Sequence, residues 1–309
     1  MKIITLTLNP AFDLHCYIER FAPYHENLAK ITDNDASGKG VNISRALNAC
    51  GVPNLAFVVL GDENGDSFAG QLRGDGMRFR SITVPGRIRE NMTIHTEGAD
   101  ETRISFSGFR ADDTLCDRVA DALESELDAE TFVTFTGRVP EGIDMPAVKA
   151  FLRRLEAKGA RIVIDSKSFG LDDLIEMKPW LIKPNQEEIS EYLNRSVETF
   201  REVTQAAEEL HERGIENVMI SLGARGALLV CEKGAFVATP PAIQPRSTIG
   251  AGDSSIAGFL AAAVEGADGE QMLRRAVSYG TAACLTPGTR PPRAEDVTTV
   301  LAQVRTQTI

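Results

Sequence analysis

The chain has 309 residues, of which 43% are hydrophobic, 25% charged and 6% aromatic. These proportions are those of a folded globular protein and exclude a disordered, collagen-like or disulfide-dense chain. Acidic residues outnumber basic ones by 44 to 33, a formal net charge of −11 at pH 7. The overall field therefore repels nucleic acids and anionic membranes, and an anionic small molecule needs a local basic pocket.

Cysteine, histidine and hydropathy patterns narrow the class of protein further. The five cysteines are widely spaced without a C-x-x-C pair, which favours free thiols in a reducing compartment. The four histidines lack the spacing of metal ligands. No apolar stretch reaches the ~20 residues that a bilayer requires, and the N-terminal residues lack a signal-peptide pattern. We therefore expect a cytoplasmic protein.

Short β-rich runs alternate with helical patterns along most of the chain. Strands are predicted, in chain order, at residues 3–8, 132–136, 161–165, 180–183 and 217–222, followed by a hairpin at 226–231 and 235–239. Helices are predicted at 42–50, 145–158, 251–264, 271–284 and 296–305. This alternation predicts an α/β fold with a parallel sheet and packed helices.

Two segments, residues 13–36 and 77–110, interrupt this alternation. The second contains β-like runs at 83–84, 92–94 and 104–106 without intervening helices. We interpret both segments as a small β-sheet lid inserted into the main domain. The α/β domain then consists of residues 1–12, 37–76 and 111–309.

The segment S-T-I-G-A-G-D-S at residues 247–254 carries the strongest chemical signal. Gly250 and Gly252 allow close backbone approach to a ligand, and the amides at a helix start favour an anion such as phosphate. Asp253 could accept a proton from a hydroxyl group that attacks this phosphate. It could equally be a helix cap. The segment is neither a Walker A loop nor a dinucleotide-binding fingerprint.

A second glycine-rich turn, Ser-Gly-Lys-Gly-Val-Asn, ends at Asn42 and precedes the next helix. Gly38, Lys39 and Asn42 resemble a further ligand cradle, although a solvated turn explains them as well. Asp13 follows the first predicted strand, where parallel sheets normally present ligand-binding groups. Its carboxylate could bind sugar hydroxyls or cap a turn.

Two later turns also allow two interpretations. Asn185 and Glu188 have the spacing of a capping box, and their oxygen atoms could also hold the waters of Mg²⁺. The segment Ser-Leu-Gly-Ala-Arg-Gly-Ala at 221–227 places two glycines between strands. It could form a simple hairpin-like turn.

Together these segments resemble the PfkB-type, or ribokinase-like, sugar kinases, most closely their bacterial 1-phosphofructokinase branch. The resemblance covers nearly the whole chain and is carried by TLTLNPAFDL, GKGVN, GRIREN, ISFSGF, IDS, WLIKPNQEE, SLGARGA, STIGAGDS and PGT, in that order. It implies a Rossmann-like αβα sandwich with a small β-sheet lid, ATP as phosphoryl donor and Mg²⁺ as the metal. It also implies a homodimer that pairs through the edges and apolar face of the lid.

The resemblance also implies roles for individual residues. Asp253 is similar to the catalytic base, and the backbone of Gly250, Ala251 and Gly252 to the anion hole. The expected sugar-phosphate contacts are Asp13, Gly38, Lys39, Asn42, Arg89 and Arg138. The expected nucleotide contacts are Lys183, Asn185, Ser221, Gly223 and Gly226. Asn185 and Glu188 are expected to hold Mg²⁺ indirectly, through water.

The expected reaction is phosphorylation of the C6 hydroxyl of fructose 1-phosphate. Lys39 favours a phosphosugar, and the FSGF and IDS segments favour fructose 1-phosphate over tagatose 6-phosphate. Arg138 departs from the family, which usually has serine in a Ser-Gly-Ser-Leu-Pro segment. It could contact a phosphate, narrow the sugar pocket or point to solvent. A kinase of tagatose 6-phosphate, fructose 6-phosphate or another sugar, and a non-catalytic sugar-phosphate sensor, therefore stay open.

Overall fold

A ten-stranded sheet and a four-stranded sheet form the framework of the computed structural model, which describes residues 2–97 and 101–309. The strands are β1 (Lys2–Thr7), β2 (Ala11–Tyr17), β3 (Lys30–Ser37), β4 (Leu55–Gly61), β5 (Phe79–Val84), β6 (Arg89–His95), β7 (Thr102–Ile104), β8 (Thr131–Thr136), β9 (Arg161–Asp165), β10 (Leu181–Ile182), β11 (Asn217–Ser221), β12 (Ala227–Cys231), β13 (Gly234–Thr239) and β14 (Arg305–Thr308). The helices are α1 (Lys39–Ala49), α2 (Gly65–Gly74), α3 (Thr114–Leu123), α4 (Met145–Glu156), α5 (Leu171–Met177), α6 (Gln186–Leu193), α7 (Phe200–Glu212), α8 (Ala251–Val264), α9 (Gly269–Ala283) and α10 (Ala294–Leu301).

The large sheet has the order β14-β13-β12-β11-β10-β9-β8-β1-β4-β5. Strands β11 through β5 of this order are parallel, whereas β12, β13 and β14 extend the sheet as antiparallel strands. Central strands such as β4 and β8 are buried along their whole length. They therefore read as continuous apolar runs, as strands covered on both faces do.

Two hydrophobic cores lie on opposite faces of the large sheet. Successive residues of β1 alternate between them, since Ile3 packs in one core and Ile4 in the other. Helices α1, α8, α9 and α10 cover the first face, and α2 to α7 cover the second. The predicted αβα sandwich is confirmed.

The small sheet has the order β3-β2-β6-β7 and draws its strands from both segments assigned to the lid. The predicted boundary at residue 77 is wrong, because β5 pairs in parallel with β4 at the edge of the large sheet. The sequence of β5 does not reveal that the strand belongs to the large sheet. As an edge strand it is partly exposed, and its mixed pattern of polar and apolar residues resembles that of a strand in an open sheet.

Other differences lie at the ends of elements. The helix predicted over 296–305 ends at Leu301, and the following residues form the edge strand β14. Helix α1 begins three residues earlier than predicted, so that Lys39 is its first residue. Within the described residues, no helix has both the length and the hydropathy needed to cross a membrane.

Helices α8 and α9 pack closely because glycines lie at their contact. A methyl group on Gly258 would be 2.5 Å from the carbonyl oxygen of Arg275, and one on Gly280 would be 2.2 Å from Oγ of Ser255. These contacts hold α8 against its neighbour and so fix the position of its first turn.

We predict that Gly258→Ala lowers the free energy of unfolding by about 1–3 kcal/mol, because the added methyl group must push the backbone of α9 away. Gly70→Ala is a matched control in α2, where the methyl group would meet no described atom within 4 Å. It should be neutral or stabilise by roughly 0.5–1 kcal/mol. Urea denaturation measures both values, and equal effects of the two variants would contradict the packing argument.

Candidate active site

The first turn of α8 presents backbone amides next to a carboxylate. Gly250 precedes the helix with a φ of 78°, in the left-handed region that glycine adopts without strain. The Ala251 amide donates a long hydrogen bond of 3.4 Å to the carbonyl of Thr248. The amides of Gly252 and Asp253 lie in the first helical turn, where an α-helix offers them no acceptor. This end of the helix carries a partial positive charge, so the turn attracts an anion.

Asp253 lies in the first turn of α8 but does not cap the helix, which starts after Gly250. Its Oδ2 accepts a hydrogen bond of 2.9 Å from Nδ2 of Asn42 in α1. The side chain is buried, and this burial raises the pKa of Asp253 to about 6, against the opposing effect of Lys39. The predicted Gly250–Asp253 turn and the Gly38–Asn42 turn therefore meet at this carboxylate.

Asp165, the last residue of β9, binds two lysines of this region. Nζ of Lys39 donates a hydrogen bond of 2.7 Å to one of its carboxylate oxygens, and Nζ of Lys183 lies 3.7 Å from the other. Burial alone would raise the pKa of Asp165, but Lys183 and Lys39 together lower it below its ordinary value. The carboxylate is therefore ionised and serves as the shared counter-ion of both ammonium groups.

Lys183 also approaches the anion-binding turn. A methyl group on Gly252 would lie 3.3 Å from Nζ of Lys183, so the glycine leaves room for this ammonium group. The structure thus brings Lys39, Lys183 and Asp253 together as one charged group around Asp165. The sequence interpretation did not single out Asp165, although a carboxylate at the end of a buried parallel strand was a usable signal.

The inner face of the small sheet contributes a second set of polar side chains. Oδ1 of Asp13 in β2 accepts a hydrogen bond of 3.1 Å from Nδ2 of Asn91 in β6. Arg89, two residues before Asn91, is half-buried, and its Nε has no hydrogen-bond partner among the described residues. Burial lowers the pKa of Arg89, Asp13 opposes this effect and the nearby Arg138 adds to it.

Unpartnered polar atoms mark this region as a binding site. Oδ1 of Asn9 and Oδ1 of Asn91 are buried and, like Nε of Arg89, lack a partner within the described chain. Buried polar groups are normally satisfied, so the three atoms indicate space for a polar ligand or water. Arg138 is exposed in the loop after β8. Asn9 and Asn91 were not assigned roles from sequence.

A cavity of about 490 Å³ borders the α8 turn. Its lining includes four of the five expected nucleotide contacts, Lys183, Ser221, Gly223 and Gly226, and also Ala251 and Gly252 of the α8 turn. The rest of the wall is largely apolar and includes Pro240, Pro241, Ala242, Ile243, Val277 and Cys284. Such a wall suits a flat aromatic base, and the adjacent amides and Lys183 suit phosphates.

Only glycine fits at position 226, which lies in the wall of this cavity. Its φ is 97°, and a methyl group there would be 1.9 Å from the carbonyl oxygen of Ala238. Both the conformation and the space exclude a larger residue. The turn therefore brings the backbone of β12 close to the chain that leaves β13.

Asn185 and Glu188 form the capping box at the start of α6. Oδ1 of Asn185 accepts from the Glu188 amide at 2.8 Å, and Oε2 of Glu188 accepts from the Asn185 amide at 3.0 Å. Neither residue lines the cavity as defined above. Oε1 of Glu188 lies 3.5 Å from Nζ of Lys167. Across residues 2–97 and 101–309, no group of three or more His, Cys, Asp or Glu side chains is arranged to hold a metal ion directly.

Comparisons with known proteins give a consistent result. The family model described as pfkB family carbohydrate kinase matches residues 7–296. The 1-phosphofructokinase of Escherichia coli K12 is 34% identical over 283 residues, which cover 91% of this chain and 90% of that protein. The 1-phosphofructokinase of Rhodobacter capsulatus is 31% identical over 312 residues, covering 100% and 98% of the two chains. The phosphofructokinase-2 of E. coli in complex with substrates and products superposes with a TM-score of 0.90 at 26% identity, covering 98% and 99%.

Burial raises the pKa of Asp253, whereas two lysines lower the pKa of Asp165. Replacing each carboxylate by a neutral amide should therefore have opposite effects on the free energy of unfolding. Asp253→Asn should raise the free energy of unfolding at pH 8 by about 1–3 kcal/mol, because a raised pKa penalises the charged form above it. This gain should develop between about pH 4, near the carboxyl pKa of the unfolded chain, and about pH 6, and stay constant above that range.

Asp165→Asn is the matched control and should lower the free energy of unfolding at pH 8 by about 2–4 kcal/mol, since it leaves two lysines without their counter-ion. This loss is smaller than that expected for a fully buried ion pair, because the Lys39 side chain is 37% exposed and solvent screens its charge. Urea denaturation at a series of pH values measures both variants. A loss of stability in Asp253→Asn at pH 8 would contradict the burial argument.

Proposed function

Because the chain belongs to the pfkB family of carbohydrate kinases, we propose that it transfers the γ-phosphoryl group of ATP to the C6 hydroxyl of fructose 1-phosphate. The products are fructose 1,6-bisphosphate and ADP. One observation carries the proposal: the α8 turn holds the Asp253 carboxylate, which accepts a hydrogen bond from Asn42 of the expected sugar-side turn, and its residues Ala251 and Gly252 line the large cavity. An acceptor beside Asn42 and a donor in the cavity can therefore meet at the same turn.

In this reaction Asp253 acts as the general base. Its pKa of about 6 leaves it mostly ionised at neutral pH, yet close enough to that pH to accept the proton of the C6 hydroxyl as the bond to phosphorus forms. Asn42 holds the carboxylate through one oxygen and leaves the other for the hydroxyl. The second carboxylate, Asp165, is held ionised by two lysines and is less basic.

The transferring phosphoryl group is stabilised by fixed dipoles and charges. The amides of Gly250, Ala251 and Gly252 surround the start of α8, and Lys183 approaches the same turn. Phosphoryl transfer depends mainly on positioning and on such electrostatic stabilisation. The amides contribute without adding net charge, so they need no counter-ion.

ATP is assigned to the cavity of about 490 Å³. Its adenine contacts the apolar wall near Ile243 and Val277, and its phosphates extend past Ser221 and Lys183 to the α8 turn. This direction follows from the chemistry of the wall, which is apolar at one end and rich in N–H groups at the other.

The residues present fit Mg²⁺ only through water. Oε2 of Glu188 and the amide oxygen of Asn185 already accept capping hydrogen bonds. Oε1 of Glu188, which lies 3.5 Å from Nζ of the exposed Lys167, is the oxygen that would hold a hydrated ion. Mg²⁺ keeps several waters and takes its remaining ligands from substrate phosphates, so this is sufficient. When bound, the ion neutralises charge on the nucleotide phosphates.

The small sheet is proposed as the lid over the sugar. It carries the hydrogen-bonded Asp13 and Asn91, and Arg89 beside them lies near Arg138 of the α/β domain. Closure would exclude water, which competes with the sugar hydroxyl as acceptor. The lid then consists of β2, β3, β6 and β7, and β5 is left with the α/β domain.

A homodimer through this lid is supported by its exposed apolar surface. The lid segments carry the large exposed hydrophobic side chains Tyr17, Phe21, Tyr24, Leu28, Ile31, Ile104 and Phe106. Exposed apolar side chains together with free strand edges favour a partner that covers them. Sedimentation velocity measures the oligomeric state directly.

All five cysteines are free thiols, which fits the cytoplasm as the site of the reaction.

The substrate assignment distinguishes fructose 1-phosphate from its isomers. Relatives named 1-phosphofructokinase align over most of the chain, which favours a phosphate at C1. Arg89 and Arg138 lie near each other beside Asp13 and supply the positive charge for this phosphate. Tagatose 6-phosphate and fructose 6-phosphate kinases, and a non-catalytic sensor, are the alternatives that the experiments below separate.

We predict that Asp253→Asn abolishes phosphorylation of fructose 1-phosphate while ATP binding changes little. The amide keeps the hydrogen bond to Asn42 but cannot accept the hydroxyl proton. ADP release measures turnover, and calorimetric titration measures ATP binding. In the wild type, kcat should fall as the pH decreases below about 6, when Asp253 becomes protonated. Turnover in the variant close to that of the wild type would refute the assigned role.

We predict that Arg138→Ser raises the KM for fructose 1-phosphate by about tenfold, the effect of losing one charge-assisted hydrogen bond, and leaves the KM for ATP unchanged. Arg213→Ser is the control, because this arginine is remote from the site and pairs with Glu209 on the surface. A panel of fructose 1-phosphate, fructose 6-phosphate and tagatose 6-phosphate identifies the preferred sugar. An unchanged KM would mean that Arg138 points to solvent.

A further inference from the structure

A side-chain amide at the start of α2 binds the backbone of the segment that enters β6. Oδ1 of Asn64, the residue before α2, accepts a hydrogen bond of 2.8 Å from the amide of Ile88. Nδ2 of Asn64 donates one of 3.0 Å to the carbonyl oxygen of the same residue. Asn64 makes no capping hydrogen bond to α2 itself. Both polar ends of its carboxamide are therefore engaged with Ile88.

Gln71, within α2, binds β3 in a similar way. Its Oε1 accepts a hydrogen bond of 2.5 Å from the amide of Ala36, and its Nε2 donates one of 3.0 Å to the carbonyl oxygen of Asn34. β3 is an edge strand of the small sheet, so these are groups that a neighbouring strand would otherwise pair with. Arg45 of α1 donates to the carbonyl oxygen of Ala36 and also to Asp75, which follows α2. Side chains of the main domain thus replace a further strand at this edge.

The Asn64 contact fixes the backbone immediately before a proposed sugar-phosphate contact. Ile88 is fully buried in one of the two cores, and Arg89 is the next residue and the first of β6. Gly61 allows the chain to approach closely, since a methyl group there would be 2.3 Å from the carbonyl oxygen of Gly86 and 3.0 Å from the amide nitrogen of Ile88. The Asn64 carboxamide therefore sets where β6 leaves the main domain, and with it the position of Arg89.

The Gln71 contact acts on the other strands of the sugar-binding face. Asp35, which lies between the two residues that Gln71 binds, is opposite Asp13 in the register of β2 and β3. Asp13 in turn accepts a hydrogen bond from Asn91 of β6. Gln71 holds these strands from the β3 side, whereas Asn64 holds them from the start of β6. The two contacts of α2 thus support the sheet on either side of the Asp13–Asn91 hydrogen bond.

The cost of losing these contacts falls on substrate binding. Without the two carboxamides, water would satisfy the backbone groups and the small sheet could adopt more orientations relative to the α8 turn. A sugar phosphate would then have to restore the binding orientation, which lowers its affinity. Once it is bound, its own contacts with the sheet hold this orientation, so turnover of the bound substrate is unaffected.

We propose that Asn64 and Gln71 are positioning residues, which hold the small sheet so that Arg89 and Asp13 face the sugar phosphate before it binds. They act through the backbone and do not touch the substrate. This inference rests on the proposed function, because its kinetic readout is the KM for fructose 1-phosphate.

The kinetic test removes the hydrogen bonds but keeps the size of the side chains. Asn64→Leu and Gln71→Met should each raise the KM for fructose 1-phosphate about 2- to 10-fold, the range for one lost hydrogen bond. The kcat and the KM for ATP should not change. Gln205→Met, at an exposed glutamine of α7, is the matched control and should behave like the wild type. The same KM for fructose 1-phosphate in all four proteins would overturn the proposal.

Two carboxylate variants distinguish this role from stabilisation of α2. Asp caps a helix as well as Asn, and Glu forms a helix as well as Gln, so Asn64→Asp and Gln71→Glu would be neutral if the residues only stabilised the helix. In the proposed role, each carboxylate keeps the acceptor but loses the donor, and its second oxygen faces a carbonyl oxygen. At about pH 7.5, where both carboxylates are ionised, both variants should raise the KM for fructose 1-phosphate at least as much as Asn64→Leu and Gln71→Met. Wild-type KM values in both would overturn the proposal.

A measurement without substrate separates this inference from the proposed function. Hydrogen exchange followed by NMR should show that the amide of Ile88 in Asn64→Leu and the amide of Ala36 in Gln71→Met exchange about 2- to 10-fold faster than in the wild type. Unchanged exchange of both amides would overturn the inference. If exchange responds but the wild type does not phosphorylate fructose 1-phosphate, the proposed function fails and the two contacts stand.

The wild-type protein alone decides the matter if these variants do not fold. NMR detects scalar couplings across hydrogen bonds, and we expect them between the amide of Ile88 and the side chain of Asn64, and between the amide of Ala36 and the side chain of Gln71. The absence of both couplings would overturn the proposal.

Discussion

The clustering of two buried carboxylates with the buried Lys183 and the partly exposed Lys39 is the constraint on which the site depends. Lys39 starts α1, Asp165 ends β9, Lys183 follows β10 and Asp253 lies in the first turn of α8. Each group is compensated by the others, because an isolated buried charge is strongly unfavourable. The four segments are therefore held in one arrangement at the carboxyl edge of the sheet, where parallel strands deliver their loops.

The same burial has opposite consequences for the two carboxylates. Burial raises the pKa of Asp253, whose nearest polar partner is the neutral amide of Asn42. Burial acts on Asp165 in the same direction, but contacts with both lysines outweigh it. The difference supports the proposed roles. Asp165, in contact with two lysines, stabilises the arrangement of the site, whereas Asp253, hydrogen-bonded to an amide, stays basic enough to accept a proton in the proposed reaction, at a cost in stability.

The sequence predicted several buried parallel strands, such as β1, β8, β9 and β11, but not β4, which is an apolar run of the same kind. The span of α8 was predicted to the residue, because nine of its 14 residues are apolar and the helix starts directly after the glycine turn. The sequence analysis failed for β5 and β14. Both are edge strands, and their mixed polar and apolar residues cannot be distinguished from loops by local periodicity. Most of the candidate site residues were named from motifs. Asp165 and Asn91 were missed because their importance lies in partners that are distant along the chain.

The position of these charges resolves the conflict between an acidic chain and anionic substrates. A formal charge of −11 repels a sugar phosphate and a nucleotide at long range. Salt screens that field beyond about 10 Å, so the groups within contact distance decide binding. Lys39 and Lys183 are partly neutralised by Asp165, and Arg89 and Arg138 lie beside Asp13. The remaining attraction comes from the amides of the α8 turn, which bind an anion without requiring a buried counter-ion.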